Sequence, residues 1–375
     1  MRADIFCRVI DNFGDIGVTW RLARQLSSEL HWEIRLWVDD LAAFSKIESR
    51  LDPDSAIQAL AGVHIRRWPQ AHEDPQIEPA RLVICAFSCE PPPGFLERMR
   101  TSPAVLVNLE YLSAETWVEG CHALPALRAD GLNAHYFFPG FTVRTGGLPR
   151  EAALERDRQA WIGNRAGQRS LLARAGLSEQ GMRRWEEQKG VRLVTLFCYP
   201  HARVDGLIDA LVALDSPTLL VIPGGTLFPL KSQTRGALQI EQIDFLTQPD
   251  YDRLLWMADL NFVRGEDSIV RAIWAGKPAV WQLYPQANDT HLAKLEAWLA
   301  IAGLPQSAQA AIRGWNAAPA NVEPGTSALQ DALSPVNFAA WFAATERFRQ
   351  SQMQIPDLAN SLDLFCRKKL ESPGT

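Results

Sequence analysis

The sequence predicts an α/β protein made of two doubly wound, Rossmann-like domains, each a parallel sheet covered by helices. Three observations carry this expectation. The chain has 375 residues, more than the roughly 250–300 at which a single core stops growing. In each half, short apolar runs alternate with segments of helical spacing, the pattern of repeated βαβ units. The apolar runs are continuous, as strands buried on both faces should be.

In the first half, Asp4–Ile10 is a run of β-formers, and Val18–Leu30 places apolar or small residues at helical spacing. Glu33–Val38 alternates, Val63–Trp68 follows, and Arg81–Phe87 and Ala104–Leu109 are continuous apolar runs. From about 140 to 190 the rhythm breaks into Arg-, Glu-, Gln- and Gly-rich sequence, with helical stretches near Glu151–Ile162 and Ser178–Lys189. A second alternating set then begins. Strands are expected at Val191–Cys198, Thr218–Ile222, Ala237–Ile243, Asp259–Val263 and Pro278–Leu283, and helices at Val204–Leu214, Asp250–Met257, Asp267–Ala275 and Thr290–Ala302. Val336–Phe348 and Asp357–Leu370 read as two further helices. The expected boundary lies near Gly190, between a domain over 1–185 and a domain over 190–350.

Composition narrows the function. Apolar residues make up 47% and charged residues 22%, so the chain has enough apolar surface to fill two cores. The formal net charge is −5, with Lys and Arg spread along the whole length, which disfavours a nucleic-acid binder with a basic face. The six cysteines (Cys7, Cys85, Cys89, Cys121, Cys198, Cys366) include no C-x-x-C pair, and most sit in apolar runs. They are expected as reduced, buried thiols. No signal peptide and no apolar stretch of about 18 residues is recognisable, so a cytoplasmic chain without membrane spans is expected.

The first chemical motif is Asp11-Asn12-Phe13-Gly14-Asp15-Ile16-Gly17-Val18, between the first strand and the first helix. Loops at the carboxyl ends of parallel strands are where ligands bind in open α/β sheets. The two glycines lie three apart, unlike a dinucleotide fingerprint, and two carboxylates would repel pyrophosphate. Asp11 and Asp15 therefore suit a cationic partner. A purely structural role is also open, with Asp11 opening a turn and Asp15 capping the helix.

The second motif, Asn261-Phe262-Val263-Arg264-Gly265-Glu266-Asp267-Ser268, occupies the matching strand-to-helix turn of the second half. Its logic is reversed. Arg264 supplies a cation, Gly265 permits close backbone approach, and Asp267 and Ser268 open a helix whose N–H groups favour an anion. A diphosphate fits there, and Glu266 could accept hydrogen bonds from ribose hydroxyls. A capped helix with a surface Arg–Glu pair is the plain alternative. Phe245 and Gln248 lie just upstream, suited to stack on and hydrogen-bond a pyrimidine, and Tyr284 follows the next strand. Gly224-Gly225 gets no role. Neither Asp-x-Asp occurrence, at 52–54 or 250–252, looks metal-holding, and the seven histidines show no ligand spacing, so no metal is expected.

In combination these segments resemble the elongation factor P arginine rhamnosyltransferases, the EarP family. The likeness runs through Asp11–Leu26, Leu36-Trp37-Val38-Asp39-Asp40-Leu41, Asn108-Leu109-Glu110-Tyr111-Leu112-Ser113, Arg264–Ser268 and Trp281-Gln282-Leu283-Tyr284-Pro285-Gln286. The resemblance implies a glycosyltransferase-B type fold with two Rossmann-like domains facing a central cleft. It implies an inverting, metal-independent enzyme that takes dTDP-β-L-rhamnose as donor substrate, needs no cofactor, and modifies an arginine of elongation factor P. The domain over 1–185, completed by a C-terminal helix at about 355–375, would bind the acceptor; the domain over 190–350 would bind the nucleotide sugar.

Carried over by position, Asp15, Asp11 and Glu266 are the expected catalytic residues, with Asp15 as base and Asp11 orienting. Asn12, Phe13, Gly14, Gly17, Tyr284, Phe245, Gln248, Arg264, Gly265, Asp267 and Ser268 are the expected substrate-binding residues. Two other classes stay open from the residues alone. A sugar-nucleotide epimerase would act on free donor without a protein partner. A non-catalytic protein that docks a translation factor would have no affinity for dTDP.

Overall fold

The computed structural model describes all residues except 11–12, 69–76, 102–103, 189, 227–230, 287–288, 318–325 and 372–375, and the side chain of Thr326. The chain divides into two compact units, Met1–Ala152 with Gln352–Thr375, and Ala153–Ser351.

The first unit holds an eight-stranded sheet: β1 (Arg2–Cys7), β2 (Glu33–Val38), β3 (Ile57–Leu60), β4 (Val63–Arg67), β5 (Leu82–Ala86), β6 (Val105–Leu109), β7 (Pro125–Ala126) and β8 (Asn133–Phe137). The spatial order is β3-β4-β2-β1-β5-β6-β8-β7. The antiparallel strands β3 and β7 lie at the two edges, and every other pairing is parallel. Without those edges the parallel strands follow the 3-2-1-4-5-6 order of dinucleotide-binding folds, whose switch point falls between β1 and β5. Burial accounts for the continuous apolar runs: all five residues of β5 are buried, as are the last five of β1 and of β2.

One buried ion pair fixes the middle of this sheet. Asp4 on β1 is fully buried and takes both Nε and one Nη of Arg35 on β2, at 2.6 Å each. It also accepts from Trp37 Nε1 at 2.9 Å and from the Ala80 amide at 2.7 Å. With its oxygens hydrogen-bonded on several sides, the buried carboxylate avoids the cost of an unsatisfied charge.

The second unit holds a six-stranded sheet: β9 (Arg192–Leu196), β10 (Thr218–Pro223), β11 (Gln233–Arg235), β12 (Leu238–Ile243), β13 (Leu260–Arg264) and β14 (Ala279–Gln282), ordered β11-β12-β10-β9-β13-β14. Only β11 is antiparallel. The parallel strands again run 3-2-1-4-5, with the switch point between β9 and β13.

The unit boundary corrects the expected one. The helices Leu154–Ile162, Arg165–Arg174 and Glu179–Glu187 belong to the second unit, so the division comes at Ala152 and not near 185–190. Their apolar faces explain it. Leu171, Leu172, Ala175, Met182 and Trp185 pack in one core with Leu193, Leu219, Val221 and Ile243 of the second sheet. At the other end, the Leu358–Glu371 helix returns to the first unit, where Asp363 accepts from Trp32 Nε1 at 2.8 Å.

Candidate active site

In the first unit the expected site residues follow the carboxyl end of β1, at the switch point. Strand β1 stops at Cys7, three residues before the expected end, and the following helix, Gly14–Ser28, starts four residues before the expected Val18. The reason lies in backbone hydrogen bonding. The amide of Val9 is taken by Asp39 Oδ1 at 2.9 Å and that of Ile10 by Asp15 Oδ2 at 2.8 Å, which draws the chain out of the sheet. Asp15 is therefore helical and 3% exposed, in the first turn where a carboxylate complements the helix dipole. Phe13 is the N-cap, its carbonyl accepting from the Gly17 amide at 2.9 Å, and Gly17 is buried within the helix. Asp11 and Asn12 lie outside the described residues.

Asp39 has a part that its sequence position alone does not reveal. It follows β2, so its carboxylate belongs to the same sheet edge; its sequence signals are an acidic pair after an apolar strand and its place in a segment that carries the family resemblance. The neighbouring Asp40 caps the Leu41–Ile47 helix by accepting from Ala43.

In the second unit five connections leave the carboxyl edge of the sheet, and the expected donor-site residues lie in them or at the strand and helix ends that they join. Strand β13 runs to Arg264, and the next helix begins at Gly265, two residues earlier than expected. Gly265 has φ +66°, a conformation that carries a steric cost for residues with a Cβ. Arg264 occupies the N-cap position and has no side-chain acceptor to cap the first amides of this 11-residue helix.

The Arg264 guanidinium is buried and held on several sides. It donates to the Cys198 carbonyl at 3.0 Å and the Gly225 carbonyl at 3.4 Å, and lies 4.3 Å from the Phe197 ring centroid and 4.9 Å from that of Tyr199. Phe197, Cys198 and Tyr199 follow β9, so the cation is fixed at the switch point by its immediate neighbour strand. Gly225 therefore does have a part, one that the sequence left unassigned. Gly224 has another: a Cβ there would lie 2.6 Å from the Phe245 amide nitrogen, closer than real contacts allow. A glycine is needed for the β10 exit to pass beside the Phe245 backbone.

Glu266, expected at the ribose and among the catalytic residues, forms an ion pair with Lys294 at 2.7 Å. Phe245 is half-buried, Gln248 begins the Gln248–Met257 helix and is buried, and Ser268 is buried in the helix after β13. Asp267 is half-buried beside it. Tyr284 is 60% exposed and meets Tyr199 edge-on at 5.4 Å. Behind them, Gln282 accepts the Tyr199 amide at 2.8 Å, which sets the turn that carries Tyr199. Among the described residues no group of three or more His, Cys, Asp or Glu side chains is placed to hold a metal ion, and no helix is long and apolar enough to cross a membrane.

Comparison with known proteins identifies the family and the fold class. The family described as elongation-factor P (EF-P) rhamnosyltransferase EarP matches residues 3–367. A protein-arginine rhamnosyltransferase of Pseudomonas aeruginosa is 41% identical over 383 residues, spanning 96% of this chain and 98% of the relative. Its counterpart in Pseudomonas putida is 41% identical over 98% of this chain and 99% of its own length. A solved structure described as the structural basis for EarP-mediated arginine glycosylation of translation elongation factor EF-P superposes with a TM-score of 0.65 at 30% identity, covering 98% of this chain and 99% of its own. The glycosyltransferase VinC, solved in complex with dTDP, shares the fold at 11% identity, with a TM-score of 0.55 over 99% of this chain and all of its own. The chain is thus a glycosyltransferase of the glycosyltransferase-B fold class, and it belongs to the elongation factor P rhamnosyltransferase family.

Proposed function

We propose that this chain transfers L-rhamnose from dTDP-β-L-rhamnose to an arginine of elongation factor P, with inversion at the anomeric carbon. An acceptor that is a translation factor puts the reaction in the cytoplasm. The observation that carries the proposal is the opposite chemistry of the two switch points: a buried carboxylate, Asp15, beside β1, and a buried guanidinium, Arg264, with a helix N-terminus after β13. The first suits a cationic acceptor and the second an anionic donor. On this reading the first unit binds the acceptor and the second the nucleotide sugar.

The step is a displacement. A guanidinium nitrogen forms a bond to the anomeric carbon, the bond from that carbon to the diphosphate oxygen breaks, and dTDP leaves. One N–H proton passes to Asp15. A free guanidinium has a pKa of about 12.5–13.8 and a carboxylate about 4, so removal of the proton before attack is strongly uphill. Two carboxylates, Asp11 and Asp15, instead orient the group and accept the proton as the new bond forms and nitrogen acidity rises. Charge growing on the diphosphate is met by Arg264 and the amides at Gly265, Glu266, Asp267 and Ser268. Phe245 and Gln248 hold the thymine, Glu266 the ribose, and Tyr284 lies against the sugar. Phe13, Gly14 and Gly17, with Asn12, shape the acceptor loop.

Intact-protein mass spectrometry tests this. The chain is incubated with dTDP-β-L-rhamnose and unmodified elongation factor P, with an acceptor Arg→Lys control. One deoxyhexose gained by the wild-type factor and absent from the control is expected. Donor consumed without any mass gain on the factor would overturn the acceptor assignment, and absence of dTDP binding would overturn the donor assignment.

A further inference from the structure

A third carboxylate stands at the same edge of the first sheet, outside the machinery assigned above. Glu110 directly follows β6, and β6 is separated from β1 only by β5. With strands about 4.8 Å apart, the two exits are about 10 Å from each other. Glu110 is half-buried, and among the described residues its carboxylate accepts only the Ser88 hydroxyl, at 3.3 and 3.2 Å. Among the described residues no Lys, Arg or His pairs with it, whereas Asp4, Asp252 and Glu155 each have such a partner. Burial holds its carboxyl above the ordinary range, with the Ser88 hydroxyl acting in the opposite sense.

The turn that presents Ser88 is unusual. Phe87 and Ser88, at the end of β5, both have φ +56°, the left-handed region that residues with a Cβ rarely occupy. The surroundings over-determine it. The Phe87 amide donates to the Leu109 carbonyl at 2.7 Å, tying the turn to β6. The Cys89 thiol donates to the Phe6 carbonyl at 3.2 Å, tying it to β1. Strain of this kind costs about 1–3 kcal/mol per residue and persists where neighbours enforce it. One product of the turn is that the Phe87 ring stacks on Tyr111, centroids 4.7 Å apart at 26°. Tyr111, the residue after Glu110, remains 40% exposed.

A carboxylate without a cationic partner and a partly exposed aromatic ring, both tied to the one Phe87–Ser88 turn, offer what a planar cation needs: two oxygens for its N–H fork and a π-face for its plane. We propose that Glu110 and Tyr111 form the subsite that binds the acceptor guanidinium, with Ser88 and Phe87 positioning them. Glu110 is the anionic clamp that selects arginine over lysine, and Asp15 remains the proton acceptor. The inference rests on the protein-arginine reading above and adds residues that it does not contain.

The test uses the full chain and a probe that needs no sugar transfer, N-acetyl-arginine methylamide, with the lysine analogue as control. Binding is followed by chemical-shift changes of the Glu110 carboxyl carbon and by titration calorimetry. Glu110→Gln keeps the shape and an acceptor for Ser88 but removes the charge. It should weaken arginine-probe binding roughly ten- to a hundredfold, the range for a hydrogen bond to a charged group. Glu110→Asp should recover part of that loss. In turnover assays Glu110→Gln should raise KM for the acceptor and leave KM for the donor unchanged. Equal probe binding by wild type and Glu110→Gln, or no preference for arginine over lysine, overturns the subsite. Wild-type turnover on the factor decides the broader reading separately, because the probe result does not depend on it.

Discussion

Asp15 accepts the amide of Ile10 through Oδ2 at 2.8 Å, so the side chain proposed to take the proton also anchors the loop leading into Asp11. Two substitutions separate these duties. Asp15→Asn keeps an oxygen able to accept from Ile10 and removes the base, so turnover should fall by about 10²–10⁴, the usual contribution of a positioned proton acceptor. Thermal stability and dTDP affinity should stay near wild type. Asp15→Ala should lose turnover and also lower Tm, because the amide of Ile10 loses the side-chain partner that holds this loop. Single-turnover rates with calorimetry for both variants check this; near-normal turnover by a folded Asp15→Asn protein would remove Asp15 from the base role.

Arg264 reaches two carbonyls on different loops and lies near two rings at once. A lysine there would keep the charge, yet its point-like ammonium cannot hold both carbonyls while presenting a flat face to Phe197 and Tyr199. Arg264→Lys should therefore behave much like Arg264→Ala, with kcat/KM for the donor down by roughly tenfold or more. Acceptor-probe binding should be unchanged, since that site is on the other unit. Full activity in the lysine variant would mean that charge alone suffices at this position.

Gly224 gives a steric test of the same edge. Its missing Cβ would meet the Phe245 amide nitrogen at 2.6 Å and its Cα at 3.0 Å. Both are backbone atoms and cannot swing aside. Gly224→Ala should displace the Phe245 loop, cost about 1–3 kcal/mol of stability, and weaken dTDP binding more than it weakens the fold. Nucleotide titration alongside thermal melts distinguishes the two effects; unchanged affinity with lowered Tm would separate Phe245 from the nucleotide.

What the sequence revealed of this fold follows from what hydrophobic patterning can report. Arg81–Phe87 and Ala104–Leu109 were legible because β5 and β6 are central, parallel and buried. Strand β8, Asn133–Phe137, was not, since Asn133 and Tyr136 interrupt its apolar run. The helix Arg165–Arg174 was missed because only Gln168, Leu171 and Leu172 are buried among charged neighbours. The site divides in the same way. Motifs named their residues, but Glu266 turned out to pair with Lys294 and Arg264 to face carbonyls, contacts made by residues distant in sequence. The Phe87–Ser88 turn had no sequence signal, because neither residue is one that ordinarily marks positive φ.

Glu110 carries a stability consequence opposite in sign to its proposed use. Burial raises its carboxyl above the ordinary value of 4.5, so folding favours the protonated form. The stability from this group is fully present below that ordinary value and is lost as pH rises through the raised folded value. At neutral pH the wild-type protein therefore holds an ionised carboxylate that its surroundings disfavour, and an uncharged amide there relieves the penalty. Glu110→Gln should melt at a higher temperature than wild type near pH 7, and the difference should shrink as pH is lowered toward 4.5. A group retained only to brace the Ser88 turn would give the reverse, a lower Tm for Glu110→Gln at neutral pH. Saturating acceptor should narrow the gap from the other side, because a bound guanidinium stabilises the ionised carboxylate in the wild-type protein and has nothing equivalent to pair with in the variant.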